Sequence, residues 1–131
     1  MDAAVPRLKR RPEFLRVAEA KRKWVAPGLI LQARCHGSGD RRRRGIHEET
    51  ASIRVGFTVS RKVGNAVERN RVRRRLRAAA GKVMPVHAKE GHDFVIIGRN
   101  ATLRRPFAVL MKDLETALKR LDAYIELKKQ Q

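Results

Sequence analysis

Three kinds of residue or segment are scarce in this chain, and each shortage excludes a class of protein. Cys35 is the one cysteine among 131 residues, so no intrachain disulfide can form, which agrees with a reducing compartment. No apolar run approaches the ~20 residues of a membrane-spanning helix. The N-terminus also has no apolar segment of the kind found in secretory signals. These shortages favour a cytoplasmic protein.

Acidic residues are few and scattered, and they predict no active site carried by the protein. The chain has 13 acids, whereas a self-sufficient nuclease needs convergent carboxylates for Mg²⁺ or a general acid and base. Glu68 alone lies within the most basic stretch, where helix capping explains it. The spacing of Cys35, His87 and His92 matches no structural zinc site. We expect Cys35 to be a buried strand residue, the histidines to lie in loops, and the chain to hold neither a catalytic residue nor a metal.

Positive charge is what the chain has in excess. Lysine and arginine total 32, which gives a formal net charge of +19 over one domain of 131 residues. Such a field attracts polyanions and repels its own copies, so RNA or DNA is the expected partner and the free protein is expected to be monomeric. A membrane surface is the second candidate. It requires a basic helix with a bulky apolar face, which the chain does not offer.

The stretch Arg61–Arg77 carries the densest charge. Six of the nine residues from Arg69 to Arg77 are arginine. In helical register one face is apolar, made of Val72, Leu76, Ala79, Ala80 and Val83. Arginines spaced four apart on the other faces repel one another by a few tenths of a kcal/mol per pair. A solvated charged face would mix signs, so the pattern favours a helix that meets a dense anion.

Periodicity and turn residues predict the order α-β-β-α-β-α, with a further short strand left open near residues 24–30. Helices are predicted over 12–20, from a cap at Asn65 to about Ala80 with Gly81 ending it, and after Pro106. Strands are predicted over 29–35, 53–60 and 93–98. Residues 1–11 form a basic arm, and 36–52 a flexible polar insert.

Two aromatic residues are ambiguous. Phe14 lies amid basic residues and could stack on an unpaired base, although periodicity alone favours a core anchor for the first helix. Trp24 could likewise be a partly exposed stacking platform, but packing against the sheet is favoured.

The segment RVGFTVSRKVGNAVERNRVRRRLR, Arg54 to Arg77, strongly resembles the signature of the protein component of bacterial ribonuclease P. A turn formed by Ser60, Arg61 and Lys62 precedes a helix that carries the family's RNR motif as Arg69, Asn70 and Arg71. The segment DFVIIGR at 93–99 and the final helix agree with the same family. The resemblance implies an α/β two-layer sandwich with a small mixed sheet. Its βαβ crossover would be left-handed, where general chirality rules predict a right-handed one.

The same resemblance implies a function. In this family a large RNA is the catalyst and removes the 5′ leader of precursor tRNA in an Mg²⁺-dependent hydrolysis, with Mg²⁺ held mainly by the RNA. The protein would bind the catalytic RNA and the leader, as the RNA-binding subunit of a ribonucleoprotein endoribonuclease. The implied leader cleft contains Phe14 and Ser60. The implied RNA-binding residues are Arg61, Lys62, Arg69, Asn70, Arg71, Arg73, Arg74 and Arg77.

Two positions depart from the family pattern. Ala18 stands where many members carry a second aromatic residue, so leader stacking would be weaker or would use Trp24 or another aromatic residue. Arg75 replaces a residue that is often aliphatic, which makes the helix more basic than usual. An alternative function is a structural basic RNA-binding protein of ribosomal type with no role in cleavage. That alternative requires only charge, whereas the first requires a specific cleft.

Overall fold

The structure, a computed structural model, describes residues 5–35 and 53–126 and contains three helices and four strands. In chain order these are α1 (Arg11–Glu19), β1 (Arg22–Val25), β2 (Leu29–Cys35), β3 (Arg54–Thr58), α2 (Ala66–His87), β4 (His92–Gly98) and α3 (Phe107–Arg120). Short 3-10 helices cover Arg61–Val63 and Asn100–Leu103. The predicted α/β class and element order are confirmed, and the strand left open near residue 24 exists as β1. The predicted insert 36–52 lies outside the described residues.

The four strands form one mixed sheet in the order β1-β2-β4-β3. β1 and β2 are antiparallel, β2 and β4 are antiparallel, and β3 runs parallel to β4. The unit β3-α2-β4 is therefore a βαβ crossover, and its left-handed sense stays a prediction from the resemblance. β4 is buried along nearly its whole length, as its uninterrupted apolar sequence predicts for a strand covered on both faces.

The main core lies between one face of the sheet and the two longer helices. α2 contributes its predicted apolar stripe, and Val72, Leu76 and Ala79 are all fully buried. Phe94 and Ile96 of β4 meet this stripe within the same cluster. α3 adds Leu110, Leu114 and Leu118 at helical spacing. α2 therefore lies with one side fixed in the core and its arginine-rich sides outward.

The opposite face of the sheet is covered in part by α1. Leu8, Val17 and Val95 form a smaller buried cluster, with Phe14 and Ile97 packed against it. The chain before α1 is held to the outer edge of β3, because Leu8 N donates to Val55 O at 3.1 Å and Val55 N donates to Pro6 O at 2.9 Å. Part of the predicted basic arm is thus an ordered edge segment.

The predicted end of α2 was wrong. The helix continues through Gly81 and Pro85 to His87. Val83 and Met84 are buried there, and burying these side chains offsets the cost of the glycine and the proline. Local helix-breaking signals gave the wrong end because tertiary packing outweighed them.

The expected environments of Cys35 and two histidines were also wrong. Cys35 ends β2 and is exposed. His87 belongs to the last turn of α2, where its Nδ1 lies 2.8 Å from Ile125 O and its ring stacks on Tyr124. His92 begins β4 and is 4% exposed. Cys35 was assigned to a strand by alternation, which is confirmed, but its position at the strand end leaves it exposed. The histidines were assigned to loops, whereas their contacts are with residues of the folded structure around them.

Candidate nucleic-acid interface

The start of the arginine-rich helix is fixed by a capping box. Asn65 Oδ1 accepts a hydrogen bond from Glu68 N at 2.9 Å, and Glu68 Oε1 accepts one from Asn65 N at 2.9 Å. A side chain at Gly64 would collide with Glu68, so glycine lets the carboxylate fold back. The box confirms the predicted cap and sets which residues of α2 face outward.

Four predicted RNA-binding residues line one hollow of about 240 Å³ on the outer side of α2. They are Asn70, Arg73, Arg74 and Arg77. Their spacing of three, four and seven residues places them on one stripe of the helix. Asn70 Oδ1 accepts a hydrogen bond from Arg73 Nη1 at 3.1 Å, so the amide orients a guanidinium. The described part of this hollow has no acidic side chain in its lining, which suits it to an anion.

The other predicted cations of this region have different environments. Arg61, Lys62 and Arg71 are exposed. Arg69 is half-buried, and its Nη1 donates to Gly64 O at 2.9 Å, which secures the turn before α2. Arg69 therefore has a structural contact, and its predicted contact with RNA stays a prediction.

Arg75 differs from its neighbours because it donates inward. Its Nε donates to Thr102 O at 3.0 Å, and its Nη2 donates to Arg105 O. These carbonyls belong to the segment between β4 and α3. The unusual arginine thus ties α2 to that segment, which explains the departure from an aliphatic residue without a contact to nucleic acid.

A second hollow, of about 420 Å³, lies between the start of α1 and the edge of β3. It is lined by Lys9, Arg11, Phe14, Phe57, Thr58, Val59 and Arg73. We call it the edge groove. Arg73 lines both hollows, so the edge groove and the arginine stripe of α2 share one cation.

Phe14 is half-buried and has both of the environments considered for it. It packs against the cluster of Leu8, Val17 and Val95, and it also lines the edge groove. Its ring lies over Gly56 of β3, where an added Cβ would be 2.5 Å from Cε2 and 2.6 Å from Cζ. Ser60 does not line the groove. It is exposed, and its Oγ accepts a hydrogen bond from Lys62 N at 3.3 Å.

Trp24 is in the wrong place to serve this groove. It belongs to β1, at the opposite edge of the sheet from β3. Its ring packs against the main core, with the Arg120 guanidinium 5.3 Å from the ring centroid. The packing interpretation is confirmed, and Trp24 could not stack on a strand bound in the edge groove, because it lies at the opposite edge of the sheet.

Sequence reasoning missed five groove residues, Lys9, Arg11, Phe57, Thr58 and Val59. Thr58 lies on the face of β3 opposite its core residues, and strand alternation could have shown this. Lys9 and Arg11 reach the groove only because residues 6–8 bond to the edge of β3. No local sequence pattern indicates that pairing.

Within residues 5–35 and 53–126 no three His, Cys, Asp or Glu side chains are grouped so that they could hold a metal ion. Several acids of these segments have basic partners instead. Asp113 accepts two hydrogen bonds from Arg105, at 2.9 and 3.0 Å, and Asp93 accepts two from Arg54. No helix in the described segments is both long and apolar enough to cross a bilayer.

Comparison with known proteins gives a consistent result. The family model described as Ribonuclease P matches residues 3–122. The chain is 54% identical over 123 residues to the ribonuclease P protein component of Paramagnetospirillum magneticum, covering 94% of this chain and 87% of that protein. It is 46% identical to the corresponding component of Ruegeria pomeroyi, covering 88% and 86%. The solved RNase P protein of Staphylococcus aureus has a similar fold, with a TM-score of 0.69 and 24% identity, covering 93% of this chain and 100% of that one.

Proposed function

The chain belongs to the ribonuclease P protein family, and we propose that it binds the catalytic RNA with α2 and the precursor-tRNA leader in the edge groove. Family membership supports a role in tRNA 5′ processing as a subunit of an endoribonuclease with an RNA partner. The proposal adds which surface meets which RNA. It also assigns cleavage to the RNA subunit and not to this chain.

The observation that carries the proposal is the pairing of two different surfaces that share Arg73. The stripe of α2 offers forked guanidinium groups, which bind phosphate in a bidentate manner. The edge groove adds the ring of Phe14 to cations, the combination that holds unpaired nucleotides by stacking and charge. A structured RNA on α2 and a single strand in the groove would fit these surfaces side by side.

We assign the Mg²⁺ of the reaction to the RNA partner. The described carboxylates do not converge, and Glu13, Asp93 and Asp113 are each paired with an arginine. The protein's contribution to cleavage would be indirect, because its positive charge lowers the repulsion between two RNA molecules. The same charge keeps free copies apart, so we propose that the protein is monomeric before assembly. We also propose that it is cytoplasmic.

Reconstitution tests this function. Purified protein is added to a bacterial ribonuclease P RNA at low Mg²⁺, and precursor-tRNA cleavage is measured with RNA alone, protein alone and both together. We expect cleavage to require the RNA and to be strongly stimulated by the protein. Tight RNA binding without stimulation would support the ribosomal-type alternative, and leader removal by stoichiometric RNA-free protein would overturn the assignment of catalysis.

A further inference from the structure

Beneath the start of α1, three charged side chains form a continuous network on the sheet. Arg54 donates through Nε to Asp93 Oδ1 at 3.0 Å and through Nη2 to Asp93 Oδ2 at 2.8 Å. Its remaining terminal nitrogen, Nη1, donates to Glu13 Oε2 at 3.0 Å. The Asp93 side chain is 3% exposed and that of Glu13 is 18% exposed. One guanidinium thus links β3, β4 and α1.

Glu13 uses its second oxygen for a different purpose. Glu13 Oε1 accepts hydrogen bonds from Lys9 N at 2.9 Å and Arg10 N at 3.0 Å. These backbone donors, and then the charge of Arg54, hold the pKa of the Glu13 carboxyl below its ordinary value. A single carboxylate therefore closes the first turn of α1 and anchors that turn to the sheet.

The residue after Glu13 is Phe14, and the two dock on neighbouring positions of one strand. Glu13 meets Arg54, and the Phe14 ring lies over Gly56. The ion pair fixes how α1 rotates and slides on the sheet, whereas the missing Cβ at position 56 fixes how closely the ring approaches.

This docking sets the shape of the edge groove. Lys9, Arg11 and Phe14 form the wall contributed by the start of α1, and Phe57–Val59 with Arg73 form the other wall. The network itself is not in the groove lining. A change in the network therefore reaches a ligand in the groove only by moving the first wall.

We propose that Glu13, Arg54 and Asp93 are positioning residues that hold Phe14 in the geometry that binds the leader. The inference rests on the proposed function of the groove. It assigns to a partly exposed ion-pair network, in which only Asp93 is buried, a role in substrate selection between leader-bearing and mature tRNA. The arginine stripe of α2 lies outside the network, so assembly with the catalytic RNA does not depend on it.

The test uses Glu13→Gln in the reconstituted holoenzyme. The neutral amide keeps one oxygen for the backbone donors of α1, but its NH₂ group then faces Arg54, so two donors meet and the link breaks. We expect the affinity for precursor tRNA to fall about two- to fivefold, part of the value of one stacking contact. Affinity for mature tRNA and for the catalytic RNA should not fall.

The matched control is Glu19→Gln at the other end of α1. Each variant removes one negative charge from the same helix, and charge alone would strengthen binding to RNA in both. A loss with Glu13→Gln and no loss with Glu19→Gln therefore opposes the electrostatic trend and supports positioning. If the two variants change the affinity for precursor tRNA equally, the positioning role is overturned.

A double-mutant cycle separates positioning from general stability. If the network acts through Phe14, Glu13→Gln should cause little further loss of precursor-tRNA affinity in a Phe14→Ala background, whereas additive losses would sink the inference.

Gly56→Ala displaces the Phe14 ring by a steric clash and without changing the ion pairs. It should repeat the selective loss of precursor-tRNA affinity, and it replaces Glu13→Gln as the test variant if Glu13→Gln folds poorly. If Phe14→Ala itself weakens precursor and mature tRNA equally, the proposed groove function fails. If Phe14→Ala weakens precursor tRNA more than mature tRNA but neither Glu13→Gln nor Gly56→Ala does, only the positioning role fails.

Discussion

Adjacent residues of α2 have opposite roles, and this gives a test at the scale of single side chains. Arg74 is exposed on the stripe, whereas Arg75 donates to two backbone carbonyls of the segment before α3. Arg75→Ala leaves those carbonyls without this donor, so we expect unfolding to become easier by about 1–3 kcal/mol. Arg74→Ala should change stability by less than about 0.5 kcal/mol.

RNA binding should show the reverse order for this pair. Each phosphate contact releases counterions, so removing one lowers the slope of log affinity against log salt by roughly one unit. We expect that change for Arg74→Ala and not for Arg75→Ala. Chemical denaturation and salt titration of holoenzyme assembly measure the two properties separately. A reduced slope for Arg75→Ala with unchanged stability would contradict the assignment.

Phe14 belongs to a small core and to the groove, so its test must separate the two roles. Phe14→Leu keeps an apolar side chain against Val17 and Val95 but removes the ring face. We expect this variant to stay folded and to lose about 1 kcal/mol of affinity for precursor tRNA, the low end for base stacking, with mature tRNA unaffected. Equal weakening of both substrates in a folded variant would make Phe14 a core residue only.

At the scale of elements, α2 shows which features can be predicted from sequence. Its apolar stripe and its cap were predicted because both depend on residues within a few positions of one another. Its end was not, since burial of Val83 and Met84 outweighs the local signals of Gly81 and Pro85. The arginine stripe could likewise be found from spacing. The inward bonds of Arg75 could not, because its acceptors lie about thirty residues away in sequence.

The edge groove was predicted only in part, for the same physical reason. The resemblance pointed to Phe14, but Lys9 and Arg11 join it through pairing of residues 6–8 with β3, a tertiary contact. The Glu13–Arg54–Asp93 network could not be predicted from the sequence either. Arg54 and Asp93 meet because β3 and β4 are parallel neighbours in register. Glu13 lies far from both of them in the sequence.

The stripe of α2 as a whole should dominate the salt dependence of assembly. We expect the triple variant Arg71→Gln, Arg74→Gln, Arg77→Gln, which removes two arginines of the stripe and the exposed Arg71 of the same helix, to lower the slope by about two to three units, at ~0.7–0.9 per phosphate contact. The control removes three exposed cations elsewhere, as Arg16→Gln, Arg104→Gln, Lys112→Gln. Both variants lose the same net charge, so a difference between their slopes would show that the position of the removed cations matters. Equal slopes would mean that RNA binds the general field of the protein. Arg120 is unsuitable as a control because it lies over Trp24.

For the whole molecule, the network beneath α1 predicts how stability depends on pH. The pKa of Glu13 is lowered in the folded protein from an ordinary value of 4.5, so the unfolded chain binds the proton more readily. Its stabilising contribution is therefore fully present above pH 4.5 and is lost as pH falls through the lowered pKa. Other carboxylates, and a net charge that grows from +19, also destabilise the acidic protein, so the wild-type curve alone cannot isolate Glu13.

The difference between wild type and Glu13→Gln removes those shared contributions. Chemical unfolding from pH 7 to pH 3 should show a wild-type advantage that is constant above about pH 5 and shrinks below pH 4.5. Glu19→Gln, an exposed position on the same helix, should give a smaller difference in stability. A constant advantage for wild-type Glu13 across the whole range would mean that its charge does not contribute. The link from Arg54 to α1 would then depend on shape alone, and a neutral acceptor could replace it without moving the groove.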